Sequence, residues 1–463
     1  MASKSVSKSV IWQLVGKFAL QGIAFFTTPI FTRILTPEDY GYTALYGSWE
    51  SILSLMIGLQ TLKAIGNARI KYESEKMAGF LSSIMTISVI SFGILFVASI
   101  IFNDFFASIL GIRKDLVVLL TLHSFGLYII SFCVEKFDQH KQPEKSTLLS
   151  CSQSLIAIAC SLLFVLSTKG DKAVAKIYGN AVPMIIYGCV LLILIYGKGR
   201  KFWVSEYNLF CIRFSSPLIV HAVASLIFSQ SDRIMLNKMQ GGESLGIYSV
   251  AFNLSNVITI VMVALCTSWT PFYYDYKKNK DNASVVVHGK RLIKLYTIVA
   301  LGFILLSYDV FKFMAPVAYW NGMKLLPFFV LANYFHFMYG LPANCEFFNA
   351  RTKLIPIGTV GAAVINVFIN WLLIPRYGII GAAIGTVTAF VMLFIFHECM
   401  ARFVVKTDYE WKNPLPMLIG ILVVLLFCGV LCFVELHWII RWGLAAMLGV
   451  YAFWDILKHR SLF

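Results

Sequence analysis

Long apolar blocks alternate with short charged segments along the whole chain. A helix that crosses a bilayer needs about 20 mostly apolar residues, and fourteen such spans can be placed. In the first half they cover roughly 9–31, 42–62, 78–101, 116–134, 146–167, 180–196 and 209–231. In the second half they cover roughly 247–269, 292–308, 325–346, 354–373, 379–400, 415–434 and 439–456. The sixth, ninth and fourteenth are short, so counts of twelve and thirteen stay open. No connecting segment is long enough to fold alone. The first span follows Lys4 and Lys8 but is interrupted by Lys17, and no Ala-x-Ala site follows it. It is expected to remain as the first helix rather than to be cleaved as a signal peptide.

Composition removes the soluble alternative. Of 463 residues, 59% are hydrophobic and 13% charged, and the mean hydropathy is +0.76. Soluble domains average about 25% charged residues and about 45–50% apolar ones. Three soluble domains of about 150 residues each would fit the length but not this composition. The fold class expected is an all-α polytopic membrane protein.

The formal charge of +16 then reads as topology rather than nucleic-acid binding. With the N-terminus inside, 25 of the 39 Lys and Arg residues fall on inside segments and 12 on outside loops, while Lys17 and Arg213 lie within spans. Such a bias places both termini in the cytoplasm and requires an even number of helices. Trp269, Tyr273, Tyr274 and Tyr276 followed by Lys277, Lys278 and Lys280 have the order of an inner-leaflet aromatic belt and its positive loop. The ten cysteines lie in spans or at their edges without a CxxC pair, and the histidines are scattered. Packing explains the former, and no metal site is expected.

Two stretches resemble each other at an offset near 200. Arg33-Ile34-Leu35 precedes Glu38-Asp39-Tyr40-Gly41, and Arg233-Ile234-Met235 precedes Glu243-Ser244-Leu245-Gly246, each leading into an apolar span. The same offset lays Gln13 over Arg213, Lys17 over Pro217 and Gln21 over His221. A weaker echo pairs 169–180 with 375–385. An even offset of six helices implies parallel repeats. The expected architecture is two six-helix lobes around a central cavity, over 1–205 and 206–405, with two further helices and a cytoplasmic tail over 406–463.

Polar side chains interrupt several spans. Gln13, Lys17 and Gln21 recur at i, i+4 and i+8 on one face of the first helix. Arg213, His221, Ser225, Ser229 and Asp232 follow the same rule in the seventh, with Pro217 in the row. Ser249, Asn253 and Asn256 mark the eighth helix, Asn333, His336 and Asn344 the tenth, Asn366 and Asn370 the eleventh, and Glu50 the second. A charge at bilayer depth costs at least about 2.5–3.5 kcal/mol, so it normally faces a bundle interior or a watery cavity. The plainer reading makes the Asn and Ser rows interhelical glue and lets Lys17 and Arg213 snorkel to the surface. The functional reading gives them one basic cavity with His221, suited to an anion such as phosphate. Glu50 or Asp232 would balance the charge or carry a coupling proton, and they are the only deep acids this reading finds. Thr36-Pro37-Glu38-Asp39 is better explained as a helix start.

Catalytic and gating signatures are absent. There is no GxxxxGK[ST], no HExxH or GxSxG and no TVGYG filter. The paired acids of a membrane glycosyltransferase have one outside counterpart, Glu38-Asp39, which serves as a cap. No enzyme activity and no cofactor is expected beyond coupling to H⁺ or Na⁺.

Arg-Ile-Leu-Thr-Pro-Glu-Asp-Tyr-Gly (33–41), Ser-Asp-Arg (231–233), Ser-Leu-Gly-Ile-Tyr-Ser-Val-Ala (244–251), Trp269-Thr270-Pro271 and Ile374-Pro375-Arg376-Tyr377-Gly378 form a recognisable set. With fourteen helices in two parallel lobes, the chain resembles the bacterial polysaccharide (O-antigen) flippase family. That family belongs to the multidrug/oligosaccharidyl-lipid/polysaccharide exporter superfamily. The resemblance implies translocation of undecaprenyl-pyrophosphate-linked repeat units from the cytoplasmic to the periplasmic leaflet of the inner membrane, as the lobes rock around a cationic cavity. It implies that Lys17 and Arg213, with His221 beside them, meet the pyrophosphate and that Arg33 and Arg233 lie near the outer mouth. Gln13 and Gln21 share the Lys17 face, and Asn253, Asn256, Asn333 and Asn370 would hydrogen-bond sugar. A polysaccharide polymerase and a chain-length regulator are the implied protein partners.

Two alternatives remain. One is an ion-coupled multidrug or metabolite exporter of the same superfamily, which would want membrane acids as ion ligands. The other is a membrane glycosyltransferase or polymerase acting on the same lipid-linked glycan.

Overall fold

The computed structural model describes residues 2–351, 353–405, 409–433 and 436–459, without the side chains of 2–11, 13–15, 17, 432, 433 and 459. Among these residues the chain is helical throughout and no strand occurs. In the first half the helices are α1 (Ala2–Ile34), α2 (Pro37–Gly58), α3 (Ala64–Lys71), α4 (Ser74–Ile101), α5 (Asn103–Leu110), α6 (Lys114–Gln139), α7 (Pro143–Ser167) and α8 (Lys172–Gly199). Then come α9 (Ser205–Gln240), α10 (Gly242–Lys278), α11 (Asn282–Met314), α12 (Leu326–Phe348), α13 (Leu354–Met400), α14 (Leu415–Phe433) and α15 (Trp438–His459). Helices α3 and α5 have eight residues each. The segment α13 is two arms, 354–377 and 379–400, divided at Gly378. Fourteen long helices therefore match the fourteen expected spans. The three spans with short apolar cores lie in helices of 28, 33 and 22 residues, so the lower counts fall away.

Nine of the described helices are long and apolar enough to cross a membrane by length and composition. Large apolar side chains such as Leu166, Ile193 and Val450 project from the surface. Water would penalise so much exposed apolar area, whereas lipid does not. The protein is a multi-pass membrane protein.

The repeat is visible in the element order. Helices α1, α2, α4, α6, α7 and α8 begin at residues 2, 37, 74, 114, 143 and 172; α9, α10, α11, α12 and the two arms of α13 begin at 205, 242, 282, 326, 354 and 379. The copies differ in their interruptions. The first breaks after α2 at Leu59 and Gln60, both with positive φ, and resumes through a 3₁₀ turn into α3. The second runs on unbroken through Pro271 as the 37-residue α10. Where α5 follows α4, the 3₁₀ segment Val317–Leu325 follows α11.

The chain forms two compact units, Met1–Thr27 with Glu38–Ile234, and Thr28–Pro37 with Met235–Phe463. In the first, Phe80, Ile84, Tyr128, Phe132 and Met184 centre the apolar core. The Tyr128 hydroxyl bonds Thr61 and Ser88, which ties the break after α2 to α4 and α6. Helix α8 starts where Asp171 accepts from the Val174 amide at 3.0 Å.

In the second unit the core is more aromatic, with Trp269, Tyr273, Tyr296, Tyr334, Phe337 and Trp411 buried. The last turn of α1 belongs here. Thr32 Oγ1 donates to Met314 O at 2.7 Å, and Tyr319 Oη donates to Leu35 O at 2.9 Å. The arms of α13 form a tight hairpin. Gly378 supplies the turn with φ +55°, a region glycine enters without a Cβ penalty. A Cβ on Gly381 would lie 2.5 Å from Leu373 O, and one on Gly385 would fall on Asn370 Oδ1. Small residues one turn apart thus let the two backbones touch.

Candidate functional site

Helix α9 carries Arg213, His221 and Arg233 of the basic residues that the sequence singled out. Arg213 is exposed and makes no ion pair or hydrogen bond among the described residues. Two turns on, past Pro217, His221 is half-buried and its Nδ1 is buried without a hydrogen-bond partner among the described residues. Near the end of the same helix Asp232 is buried and Arg233 half-buried, and both are partnered. The expected partners of Arg213 on α1, Gln13 and Lys17, have side chains outside the described residues. Gln21 is half-buried.

Arg33 has a definite position in the second unit. Its guanidinium donates to Pro29 O and to Phe313 O, both at 2.8 Å, and lies 6.0 Å from the Phe313 ring centroid. It therefore fastens the end of α1 to the end of α11.

Of the asparagines, Asn253 and Asn256 are half-buried on α10. Asn333 on α12 accepts from Thr259 Oγ1 of α10 at 2.6 Å and donates to Phe329 O at 2.9 Å. These three stand on neighbouring helices of one unit. Asn370 stands apart: it is fully enclosed in the α13 hairpin and donates to Asn366 Oδ1 at 3.2 Å.

Glu50 lies on α2, and its carboxylate is 3.7 Å from Nδ1 of His123 on α6. The imidazole is wholly buried and stacks on Tyr46. Its partner is thus a histidine that composition and periodicity did not mark.

A third deep acid was missed, and it corrects the expectation that Glu50 and Asp232 exhaust them. Glu346 on α12 and His397 on the second arm of α13 are both 0% exposed, and His397 Nδ1 is 2.9 Å from each carboxylate oxygen. Glu346 ends one expected span and His397 sits near the end of another, so each looked like a boundary residue. Only the packing of α12 against the second arm of α13 brings them together.

Beyond the spans, the 409–411 segment is tied down by acids. Glu410 Oε2 accepts from Lys277 Nζ at 3.3 Å and from Tyr273 Oη at 3.4 Å, while its Oε1 is buried without a partner. Burial pushes the Glu410 carboxyl up, against the opposing pull of Lys277. Glu398 accepts from Tyr409 Oη and from Arg402 Nε. Among the described residues no three His, Cys, Asp or Glu side chains cluster as metal ligands would.

Uncompensated basic groups on a membrane helix can hold an anion; buried carboxylate–imidazole pairs can hold a proton or simply a helix contact. A protein of the Lsg locus of Haemophilus influenzae is 23% identical over 408 residues, covering 81% of this chain and 95% of that protein. The succinoglycan biosynthesis transport protein ExoT of Rhizobium meliloti is 22% identical over 294 residues, covering 60% of this chain and 56% of that one. Among solved structures, the lipid II flippase MurJ in an inward closed conformation superposes with a TM-score of 0.72 at 16% identity, covering 97% of this chain and 99% of MurJ. An inward-facing multidrug resistance transporter of the MATE family, in the MOP superfamily, gives 0.66 at 15% identity over 84% of this chain and 95% of its own. The relatives named for a function are transporters and a flippase, not enzymes, and the two structures share this fold. Residues 6–276, more than half of the chain, match a sequence family described as polysaccharide biosynthesis protein, and the chain belongs to that family.

Proposed function

We propose that the chain is a flippase for undecaprenyl-pyrophosphate-linked oligosaccharide repeat units of the O-antigen type. It moves them from the cytoplasmic to the periplasmic leaflet of a bacterial inner membrane, with both termini in the cytoplasm, by alternating access through a cationic cavity. The observation that carries the reading is on α9: among the described residues Arg213 has no counter-charge and His221 keeps an unmet ring nitrogen. A pyrophosphate supplies what both lack, since a planar guanidinium and an imidazole each donate to phosphate oxygens. Lys17 adds a point charge, Gln13 and Gln21 add amide donors, and Asn253, Asn256 and Asn333 take the sugars. Arg33 and Arg233 belong to the outer mouth. Glu50 and Asp232 balance the cations or carry coupling H⁺ or Na⁺. A polymerase and a chain-length regulator act on the delivered units.

A deletion strain tests the reading. Loss of the flippase strands lipid-linked repeat units on the cytoplasmic side and removes surface polysaccharide. Export of single, unpolymerised units would instead identify a polymerase.

The likeness to a multidrug transporter fold and the third buried acid, Glu346, favour the ion-coupled exporter as a second reading. Drug sensitivity in the deletion strain without any glycan defect would establish it in place of the first.

A further inference from the structure

In the first unit, the first two turns of α4 and the last two of α6 and α8 enclose a cavity of about 280 Å³. Its floor is apolar, made by Met77, Leu81, Cys133 and Ile195, all buried. Leu194 stands exposed at the mouth. The rim is basic: Lys136 of α6, Lys198 of α8 and His140, with no carboxylate among the lining residues.

The two rim lysines differ from their neighbours in having no counter-charge among the described residues. Lys63 pairs with Glu135 and Lys76 with Glu73, each at 3.1 Å. Lys198 makes no ion pair or hydrogen bond among the described residues, and Lys136 makes only a cation–π contact with Phe137 at 5.4 Å. His140 is held in place, its Nδ1–H donating to Lys136 O at 2.7 Å. Both lysines complement the C-terminal ends of their helices, but that role needs neither a cleft between them nor an apolar floor below. Two ammonium groups above an apolar slot match a ligand that joins an anion to a hydrocarbon chain.

We propose that this cavity binds an anionic phospholipid, with its phosphate between Lys136 and Lys198 and one acyl chain against Met77, Leu81 and Ile195. The exposed Leu194 opens the slot to the surrounding bilayer, so the ligand enters from the membrane. The volume suits the phosphate and the first methylenes, and the rest of the lipid remains in the bilayer.

Lipid retention tests the site without reference to transport. The purified full-length protein, offered equal phosphatidylglycerol and phosphatidylcholine, is examined by native mass spectrometry. The wild type is expected to retain phosphatidylglycerol selectively, and K136Q/K198Q to lose about tenfold of that preference. K136R/K198R is expected to keep it, and L194W to weaken retention by narrowing the mouth. Should the double glutamine variant unfold, K198Q alone, at an exposed position, gives the same test. Unchanged selectivity in the glutamine variants would overturn the proposal. Displacement of the lipid by inorganic phosphate alone would also overturn it, by making the site one for a free anion.

Discussion

His397 Nδ1 lies 2.9 Å from both carboxylate oxygens of Glu346, with neither side chain exposed. The pair joins α12 to the second arm of α13 inside the second unit. Tyr339 tilts against the imidazole at 4.9 Å between centroids. On the far side, a Cβ at Gly358 would fall on His397 Nε2. A glycine on the first arm thus makes room for the ring that the second arm sends to Glu346.

Removing one partner of a buried pair leaves the other without compensation, at a cost of about 3–5 kcal/mol, while replacing both with apolar residues is often neutral. His397→Leu or Glu346→Met alone is therefore expected to lower the thermal midpoint of the detergent-solubilised protein sharply. The double variant should recover most of the loss. A double variant no better than the worse single one would deny the coupling.

The α13 hairpin depends on two missing side chains. At Gly381 the obstacle to a Cβ is backbone, Leu373 O at 2.5 Å, which cannot rotate away. Gly381→Ala should separate the arms and cost about 1–3 kcal/mol. At Gly361 on the same helix nothing lies within 4 Å of an added Cβ, so Gly361→Ala should be neutral. Equal thermal midpoints for the two alanine variants would show that the close approach does not matter.

Local properties were legible in the sequence and pairings were not. Apolar length placed all fourteen helices because each span satisfies its backbone within itself, and Pro37 with Glu38 and Asp39 opens α2 as the start signals required. The polar row on α9 was found because i, i+4 spacing is also a property of one helix. Glu346 and His397 are 51 residues apart on different helices, and neither breaks a hydropathy pattern from the inside. His123 failed to stand out for the same reason: its partner Glu50 sits on another helix, 3.7 Å away only after folding. Asn370 is the converse case. Its polarity drew attention, yet its hydrogen bond to Asn366 and its fit against Gly385 lie within the hairpin.

Glu410 gives stability a pH dependence of known sign. Burial raises its pKa above the ordinary 4.5, so the folded state holds a proton that the unfolded state has released. The contribution is full below the unfolded value and is lost as pH rises through the higher folded value. Thermal midpoints should therefore fall as pH rises from the unfolded value of 4.5 toward the higher folded one, and Glu410→Gln should flatten that part of the slope. The same slope in the variant would assign the dependence to another group.

Arg213 is the decisive position for transport. It sits exposed on α9 with no partner among the described residues, so replacing it removes no visible contact. Arg213→Glu should leave protein levels and the thermal midpoint near wild type, while surface polysaccharide falls by more than about tenfold, equivalent to about 1.4 kcal/mol. Arg213→Lys should keep part of the export, because an ammonium retains the charge but not the planar two-oxygen grip. Lys17→Glu should behave like Arg213→Glu if both meet one pyrophosphate. Surface polysaccharide measured beside protein abundance separates lost transport from lost protein. Normal export in both charge reversals would mean that the basic residues of α1 and α9 do not bind the translocated lipid.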